Sequence, residues 1–226
     1  MSNIKISQKV LNQEEKITLD LLEMVEENSA ITQRSLATEL NVALGLANSY
    51  IKRCAKKGLI KVKQVPSNRY AYYLTPNGFA EKGRLTAEYL KQSFNFFRLA
   101  RGQSDEALRD CINRGWNSVA LIGKSDLTEI TILSATELNV KLTGIVDAEA
   151  SIDNIKYMNL PVVKTLSELD TVDALIITDM EKPQNTFNEI VQFFPFDQVL
   201  TLSLLGIKRQ KRNTPTFIEA VSEKIG

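Results

Sequence analysis

The sequence contains no histidine and only two cysteines in 226 residues. Without histidine, neither a Ser-His-Asp nor a Cys-His nucleophile system can be built, and every metal site that uses imidazole is excluded. Cys54 and Cys111 lie far apart and form no CxxC motif, so neither a zinc site nor a disulfide is indicated. These absences remove the commonest catalytic centres, although catalysis by Asp, Glu, Lys or Tyr stays formally open.

Long hydrophobic runs are missing as well. No apolar segment reaches the ~18 residues that a membrane-spanning helix needs. The opening residues, MSNIKISQKVLNQEEK, lack the apolar core and the cleavage site of a signal peptide. Hydrophobic residues make up 43% of the chain and charged residues 24%, as in ordinary globular proteins. We therefore expect a cytoplasmic protein with no membrane partner, built from one large domain or two small ones.

The charges nearly balance, but they are unevenly distributed along the chain. The net charge is +1, yet residues 1–101 carry 16 Lys and Arg against 9 Asp and Glu, whereas residues 102–226 carry 12 against 18. The excess lies between Ile31 and Arg101, with 13 basic and 3 acidic residues. A basic half joined to an acidic half indicates a nucleic-acid contact surface on one half only. The alternative is two solvated faces that happen to differ.

The segment from Ile31 to Leu74 gives this charge a structural context. A helix over Asn12 to Glu27 precedes it and supplies an apolar stripe. The segment itself predicts a capped short helix, a turn, a longer helix, a glycine stop and a β-hairpin: Thr32 to Leu40, Asn41-Val42, Ala43 to Lys57, Gly58, and Leu59 to Val65 with Arg69 to Leu74. This order is that of a winged helix-turn-helix, which places its second helix in the major groove of double-stranded DNA.

Helical spacing assigns the faces of the longer helix. Ala47, Ile51 and Cys54 share the core side, so the positions between them face outward. Asn48 is the best base reader, because an Asn amide pairs with adenine, and the basic side chains suit phosphates. The predicted DNA-binding residues are Arg34, Leu44, Gly45, Asn48, Ser49, Lys52, Arg53, Lys61, Lys63, Ser67, Asn68 and Arg69. A winged helix used only for protein contacts is the alternative, but it would not need this excess of Lys and Arg.

An aromatic helix follows the hairpin. The pattern predicts a helix over Leu85 to Arg101 that ends at Gly102, with a separate helix over Ser104 to Asn113. Leu90, Phe94 and Phe97 share one face with Arg101. This face is either ordinary core or the seam of a homodimer, since DNA-binding modules of this size usually work as two-fold dimers.

Residues 104–226 alternate between short apolar runs and helical segments. The strands are predicted at Ser118 to Ile122, Lys141 to Val146, Leu160 to Val163 (or a connector there), Ala174 to Thr178 and Gln198 to Leu202. The helices are predicted at Asp126 to Leu138, Gln184 to Phe193 and Thr216 to Ile225. Such βαβ alternation predicts a parallel sheet with helices on both faces. The fold class is therefore α/β overall, with a mostly helical N-terminal domain that carries a hairpin wing.

A glycine turn after the first of these strands marks a candidate ligand site. In dinucleotide-binding folds such a turn brings phosphate to a helix N-terminus, and an acid about 20 residues further on holds a ribose hydroxyl. The full GxGxxG pattern is absent, because Ser125 and Thr128 occupy the later glycine positions. A scaffold with no bound nucleotide is therefore the alternative, and no cofactor is required. The candidate ligand-binding residues are Gly123, Lys124, Ser125, Asp126, Asp147, Thr178 and Asp179.

Two family resemblances become visible at these residues. The stretch from Lys16 to Arg98, above all ITQRSLATELNVALGLANSYIKRCAKKGLIKVK and SNRYAYYLTPNGFAEK, resembles MarR-type winged-helix regulators of the group associated with exopolysaccharide gene clusters. That resemblance implies transcriptional regulation, base contacts from Ala43 to Arg53 and a wing at Ser67 to Arg69.

The stretch from Ser118 to Leu205, with VALIG, LTGIVDA and LPVVKTLSELDTVDALIIT, is similar to the Rossmann-like N-terminal domain of bacterial sugar acyltransferases. That resemblance implies nucleotide-sugar binding near Gly123 to Asp126 and Asp147. No hexapeptide-repeat domain is present, so acetyl transfer is not implied. The pairing of a winged helix with this fold also resembles the NADH-reading Rex repressors, although their glycine fingerprint is missing.

Together these features predict a homodimeric transcriptional regulator and not an enzyme. Residues 10–80 form the DNA-binding domain, residues 81–103 a linker or dimerisation helix, and residues 104–226 a Rossmann-like domain that senses a small-molecule effector. A nucleotide-sugar is the favoured effector and NAD(H) the second choice, with control of surface-polysaccharide genes as the expected output. The alternatives are a Rex-like NAD(H)-responsive repressor, a protein-interaction module and an enzyme acting on a nucleotide-sugar.

Overall fold

The computed structural model describes residues 12–66, 69–149 and 155–210. The chain divides into two compact units, with the boundary between Phe96 and Phe97. The predicted closing helix over Thr216 to Ile225 lies outside the described residues, as do Ser67 and Asn68 in the hairpin tip. Within the described part, no helix is both long enough and apolar enough to cross a membrane.

The N-terminal unit contains three helices and a hairpin in the predicted order. They are α1 (Gln13–Glu27), α2 (Gln33–Glu39), α3 (Leu44–Lys56), β1 (Ile60–Val65) and β2 (Arg69–Leu74), followed by the start of α4 (Pro76–Asn113). The predicted caps are confirmed: the Asn12 side chain accepts the Glu15 N–H at 2.8 Å, and that of Thr32 accepts the Ser35 N–H at 3.1 Å. Gly58 has φ +69°, the left-handed conformation expected where α3 ends.

One apolar core joins these elements. Leu21, Leu22 and Leu36 are fully buried, and Ile51 and Tyr72 are nearly so. The N–H of Tyr72 in β2 donates to the carbonyl of Ser29 at 2.8 Å, which ties the hairpin to the segment before α2. The hairpin is therefore attached to the helical core through the second half of β2.

Helix α4 corrects the prediction that Gly102 ends a helix. A single helix of 38 residues runs from Pro76 through Gly102 to Asn113. Glycine costs about 1 kcal/mol relative to alanine inside a helix, but Ala100 and Ser104 on either side are fully buried and hold this turn. Packing of the flanking residues therefore overrides the local preference.

The C-terminal unit is built on a six-stranded sheet in the order β5-β6-β4-β3-β7-β8. All neighbours pair in parallel except the edge pair β5 and β6. The elements are β3 (Val119–Ile122), α5 (Asp126–Leu138), β4 (Leu142–Val146), β5 (Ile155–Tyr157), β6 (Leu160–Val163), β7 (Ala174–Ile177), α6 (Pro183–Ile190) and β8 (Val199–Thr201). The α/β fold class is confirmed.

Both faces of the central strands are covered. All residues of β3 and β7 are buried, as expected for parallel strands between two layers. Phe187 of α6 packs against the face that includes Ala120 and Ile177. The β3–α5–β4 and β7–α6–β8 crossovers lead away from the centre in opposite directions, so right-handed connections put α5 and α6 on opposite faces.

Strand β5 was not predicted from the sequence. It has three residues and joins β6 through Met158 and Asn159, which both have positive φ, +47° and +69°. Two left-handed residues in succession give the two-residue hairpin turn that matches strand twist. Because the strand is so short, it leaves no periodicity to read.

Candidate nucleic-acid interface

The turn between α2 and α3 orients the candidate DNA-reading helix. Asn41 has φ +50°, and the N–H of Val42 donates to the carbonyl of Ala37 at 3.0 Å. Ala47, Ile51 and Cys54 are buried, as the helical spacing predicted. Burial also raises the pKa of the Cys54 thiol to about 11, which fits a structural cysteine. The opposite face of α3 is consequently the exposed one.

That exposed face carries most of the predicted contacts. Gly45, Ser49 and Lys52 are exposed at helical spacing, and Lys56 continues the line one turn later. Leu44 is also exposed, at 44% of its surface. No other atom lies within 4 Å of a Cβ added to Gly45, so a DNA backbone could approach the helix closely there. Lys56 is an exposed cation on this face that the predicted contacts do not include.

Two of the predicted DNA contacts, Arg53 and Asn48, are less accessible to DNA than the others. The Arg53 guanidinium pairs with Glu14 of α1 and lies 5.5 Å from the centre of the Tyr50 ring. Asn48 is half-buried, and its Oδ1 is enclosed without a hydrogen-bond partner. Asn48 therefore keeps an unsatisfied acceptor next to the exposed face. Its base-reading role stays a prediction.

The wing and α2 contribute the remaining predicted cations. Arg34 on α2, Lys61 and Lys63 on β1 and Arg69 at the start of β2 are all exposed. Lys63 pairs across the hairpin with Ala71, and Arg69 with Val65. The predicted contacts Ser67 and Asn68 lie outside the described residues.

Several other basic side chains of the N-terminal unit are already paired with carboxylates. Lys82 binds Glu26, which raises the pKa of Lys82 through the hydrogen bond, and Arg84 binds Glu81 at 2.9 Å. Such pairs leave little charge for a phosphate. In the N-terminal unit, seven exposed cations that pair with none of the described carboxylates lie on or next to α2, α3 and the wing: Arg34, Lys52, Lys56, Lys57, Lys61, Lys63 and Arg69. Lys16 on α1 and Lys91 on α4 are further exposed cations of this unit outside that cluster. This clustering is the electrostatic feature expected of a DNA-binding face.

The predicted ligand turn of the C-terminal unit is closely packed. Gly123 and Asp179 follow the adjacent strands β3 and β7, and a Cβ on Gly123 would lie 2.6 Å from the Asp179 Cβ. The Ser125 hydroxyl donates to the Thr178 carbonyl at 2.6 Å, and the Thr128 hydroxyl donates to the Gly123 carbonyl at 2.7 Å. The glycine here admits a neighbouring chain segment, and the polar groups of the turn bind one another.

The charged members of this predicted site are more open. Lys124 is exposed and lies 4.5 Å from the centre of the Tyr157 ring, whose hydroxyl donates to Glu129. Asp147 accepts the N–H of Glu149 at 3.1 Å. Burial raises the pKa of the Asp179 carboxyl, but hydrogen bonds from the Thr186 hydroxyl and two backbone N–H groups outweigh it, so this pKa lies below its usual range. Within the described ranges, no group of His, Cys, Asp and Glu side chains is arranged to hold a metal ion.

The N-terminal unit is thus a winged helix-turn-helix domain, a class whose exposed helix and basic wing bind DNA. A family profile described as "Winged helix-turn-helix DNA-binding" matches residues 14–61, which cover α1, α2, α3 and the start of β1. No curated protein matches the chain significantly.

Three solved structures of transcriptional regulators are similar to this chain. MepR, a transcription regulator of the Staphylococcus aureus multidrug efflux pump MepA, has 16% identity and a TM-score of 0.33, with 39% of this chain and 64% of MepR covered. The zinc-dependent MarR family regulator AdcR has 19% identity and a TM-score of 0.31, over 44% of this chain and 64% of AdcR. The zinc-responsive MarR family member ZitR of Lactococcus lactis has 15% identity and a TM-score of 0.35, over 61% of this chain and 77% of ZitR. The matched region spans just under two thirds of MepR and AdcR, and similarity this low says nothing about what the present chain binds.

Proposed function

We propose that this protein is a DNA-binding transcriptional regulator of the MarR type and not an enzyme. The observation that carries the proposal is the cluster of seven exposed cations at α2, α3 and the wing that pair with none of the described carboxylates, whereas Lys82 and Arg84 at the start of α4 are paired with Glu26 and Glu81. Phosphate contacts supply most of the affinity of such domains, and they require free Lys and Arg side chains.

The direct test is selection of duplexes from a random DNA pool with the full-length protein. The affinity of the selected duplex is then measured by fluorescence anisotropy over a series of salt concentrations. A regulator should enrich one sequence and show an affinity that falls steeply as salt rises. A chain that enriches no sequence and binds duplexes without salt dependence would be the protein-interaction module instead.

Replacing Asn48 tests which side chain reads bases. We expect Asn48→Ala to relax the sequence preference at one position of the selected site by about 1–3 kcal/mol, because an amide that pairs with adenine would be lost. The salt dependence should stay the same, because no phosphate contact is removed. A repeated selection that returns an unchanged site would show that Asn48 is not a base reader.

We also propose that the protein acts as a homodimer through α4. Leu90, Phe94 and Phe97 are exposed by 46%, 60% and 39%, so they are not core residues of either unit. A row of large apolar side chains at helical spacing is typical of a helix seam, and a second copy would supply the same row by two-fold symmetry.

The dimer proposal predicts a change of mass on substitution. We expect Phe94→Glu to convert a dimer to a monomer in light scattering, because two carboxylates would be buried against each other. Leu99→Glu is the matched control, since Leu99 is also an exposed apolar residue of α4 but lies on the opposite side of the helix from this row. A wild-type protein that is monomeric, or a Phe94→Glu variant that stays dimeric, would refute the seam.

For the C-terminal unit we propose a small-molecule effector at the carboxyl ends of the strands, with a nucleotide-sugar favoured over NAD(H). Exposed Lys124 and partly exposed Asp147 support this placement, whereas the packed Gly123 turn restricts a ligand to the outer side of the site. Calorimetric titration with UDP-sugars and with NADH separates the two ligands.

The resemblance to exopolysaccharide-associated regulators extends the proposal to the control of surface-polysaccharide genes. Identifying the genes that lie next to the selected operator sequence would test this extension.

A further inference from the structure

A concave site that the sequence predictions did not include lies within the C-terminal unit. It is a cleft of about 780 Å³ between the C-terminal part of α4 and the end of β8 with the residues that follow it. Its walls come from the α4 face between Gly102 and Asn113 and from residues 200–203, with Arg209 at one side. Its volume falls within the range of small-molecule sites.

The walls of this cleft are held by specific hydrogen bonds. The Gln103 side chain accepts the Leu204 N–H at 2.9 Å, which joins α4 to the chain after β8. Arg209 donates to the Val199 carbonyl at 2.6 Å and lies 4.9 Å from the centre of the Phe196 ring. These contacts fix the position of one wall against the other, which reduces the entropy cost of binding.

Among the charged residues of α4 that line the cleft, one exposed carboxylate and one exposed guanidinium have no ion-pair partner among the described residues. Asp110 is paired with Arg114 at 2.9 Å, and Asp105 lies 3.6 Å from Arg101. Glu106 and Arg109 are exposed, one helical turn apart, and within the described residues neither has an ion-pair partner. A guanidinium binds a carboxylate through two parallel hydrogen bonds, and a carboxylate binds an ammonium group.

The remaining lining adds hydroxyls and apolar surface. Thr201 and Ser203 contribute to the lining on the β8 side, together with atoms of Leu200 and Leu202. The cleft therefore suits a ligand that carries an anionic and a cationic group a few ångströms apart and a side chain beyond them. The guanidinium would bind the anionic group, the carboxylate the cationic group, and the hydroxyls and apolar surface the side chain. Free α-amino acids have this arrangement.

Gly102 leaves room at one end of the cleft. No other atom lies within 4 Å of a Cβ built on Gly102, so packing does not require glycine there. Glycine also weakens the interior of a helix by about 1 kcal/mol relative to alanine. From the free charge pair, the preformed walls and this open position, we infer that the cleft binds a free α-amino acid, with its carboxylate on Arg109 and its ammonium group on Glu106.

The single tryptophan provides a readout that is independent of DNA. Trp116 is half-buried, and the Arg114 guanidinium lies 4.9 Å from the centre of its ring. Arg114 is in turn the partner of Asp110, which lines the cleft. A ligand in the cleft is therefore expected to change the emission of Trp116.

The experiment titrates the full-length protein at up to millimolar concentration with each L-amino acid except tryptophan and tyrosine, whose own emission would obscure that of Trp116. At least one should give a saturable change in tryptophan emission. Arg109→Ala should weaken its binding about tenfold or more, because the charged hydrogen bonds are lost. Gly102→Leu should weaken it as strongly by filling the cleft. Gly83→Leu is the matched control, since Gly83 also lies in α4 with nothing within 4 Å of an added Cβ, and it should bind like the wild type.

The inference is overturned if no amino acid gives a saturable signal, or if Gly102→Leu and Gly83→Leu bind equally well. One wall of the cleft is α4, the helix that begins at Pro76 in the winged-helix unit, so a bound amino acid is expected to change the affinity for DNA. That expectation rests on the proposed function. Operator affinity is measured separately with and without the bound amino acid. Binding with no operator affinity at all would count against the regulator and leave the cleft assignment standing.

Discussion

Lys52→Glu is expected to lower the affinity for duplex DNA by about tenfold or more, for selected and unrelated sequences alike. Lys52 is exposed in the middle of the α3 face, between Ser49 and Lys56, and none of the described carboxylates pairs with it. Losing one phosphate contact should reduce the slope of log affinity against log salt by about 1. The new carboxylate adds repulsion, which makes the loss larger than for Lys52→Ala.

Arg53→Ala should have a smaller effect than Lys52→Ala, although the two residues are adjacent and carry the same charge. The Arg53 guanidinium is already paired with Glu14, so fewer of its N–H donors are available to a phosphate. Both variants are measured by fluorescence anisotropy over the same salt series.

Lys141→Glu is the control for net charge. Lys141 is exposed and lies in the C-terminal unit, so the same charge change there should alter affinity much less. Equal losses in Lys52→Glu and Lys141→Glu would mean that only total charge matters. Full affinity in Lys52→Glu would mean that α3 does not face DNA.

The elements that the sequence predicted well are those with local signals. Asn12 and Thr32 accept hydrogen bonds from N–H groups three residues later, so each helix start depends on one side chain and its nearest neighbours. Helix α5 begins and ends at the predicted residues, because Ser125 caps one end and Asn139 takes the left-handed conformation at the other. The alternation of strands and helices then fixed the α/β class.

The features that the sequence did not predict depend on packing between distant segments. Gly102 is a helix breaker by its local preference, but the Ser104 hydroxyl is buried 3.0 Å from that of Thr131 on α5, and this contact helps to keep the helix intact. Strand β5 is held by its pairing with β6 and by the Tyr157 hydroxyl, which donates to Glu129 on α5. Neither contact leaves a pattern in the surrounding residues.

In the candidate DNA site, too, local signals were predicted correctly and tertiary contacts were not. Helical spacing was enough to separate the buried and exposed faces of α3. It could not show that Arg53 is paired with α1 or that the Asn48 amide oxygen is enclosed, because both depend on the tertiary environment. Likewise, the sequence around Gly123 resembles a phosphate-binding glycine turn, but in the structure Asp179 occupies the space beside this glycine. A glycine signals close approach without identifying what approaches.

The largest expected effect on stability is that of Gly78→Ala. Gly78 lies in the first turn of α4, where an added Cβ would overlap the backbone carbonyl of Leu59 and reach within 2.9 Å of the Leu74 side chain. The Thr75 hydroxyl beside it donates to the Gly58 carbonyl at 2.6 Å and accepts the Gly78 N–H at 3.0 Å. This junction holds together the end of α3, the base of the wing and the start of α4.

Because backbone atoms would have to move, we expect Gly78→Ala to lower the free energy of unfolding of the N-terminal unit by about 3 kcal/mol. Urea denaturation of the full chain can report the two units separately. Five of the six tyrosines precede Phe97, and the only tryptophan follows it. The tyrosine-detected transition should therefore shift to lower urea, while the tryptophan-detected transition stays in place.

Gly83→Ala is the matched control for this prediction. Gly83 is in the same helix and has nothing within 4 Å of an added Cβ, so alanine should stabilise the N-terminal unit by up to about 1 kcal/mol. The two substitutions add the same methyl group to the same helix and should shift the tyrosine-detected transition in opposite directions. If both substitutions stabilise the unit, then the backbone at Leu59 moves at little energetic cost, and the junction that positions the wing relative to α3 is not rigid.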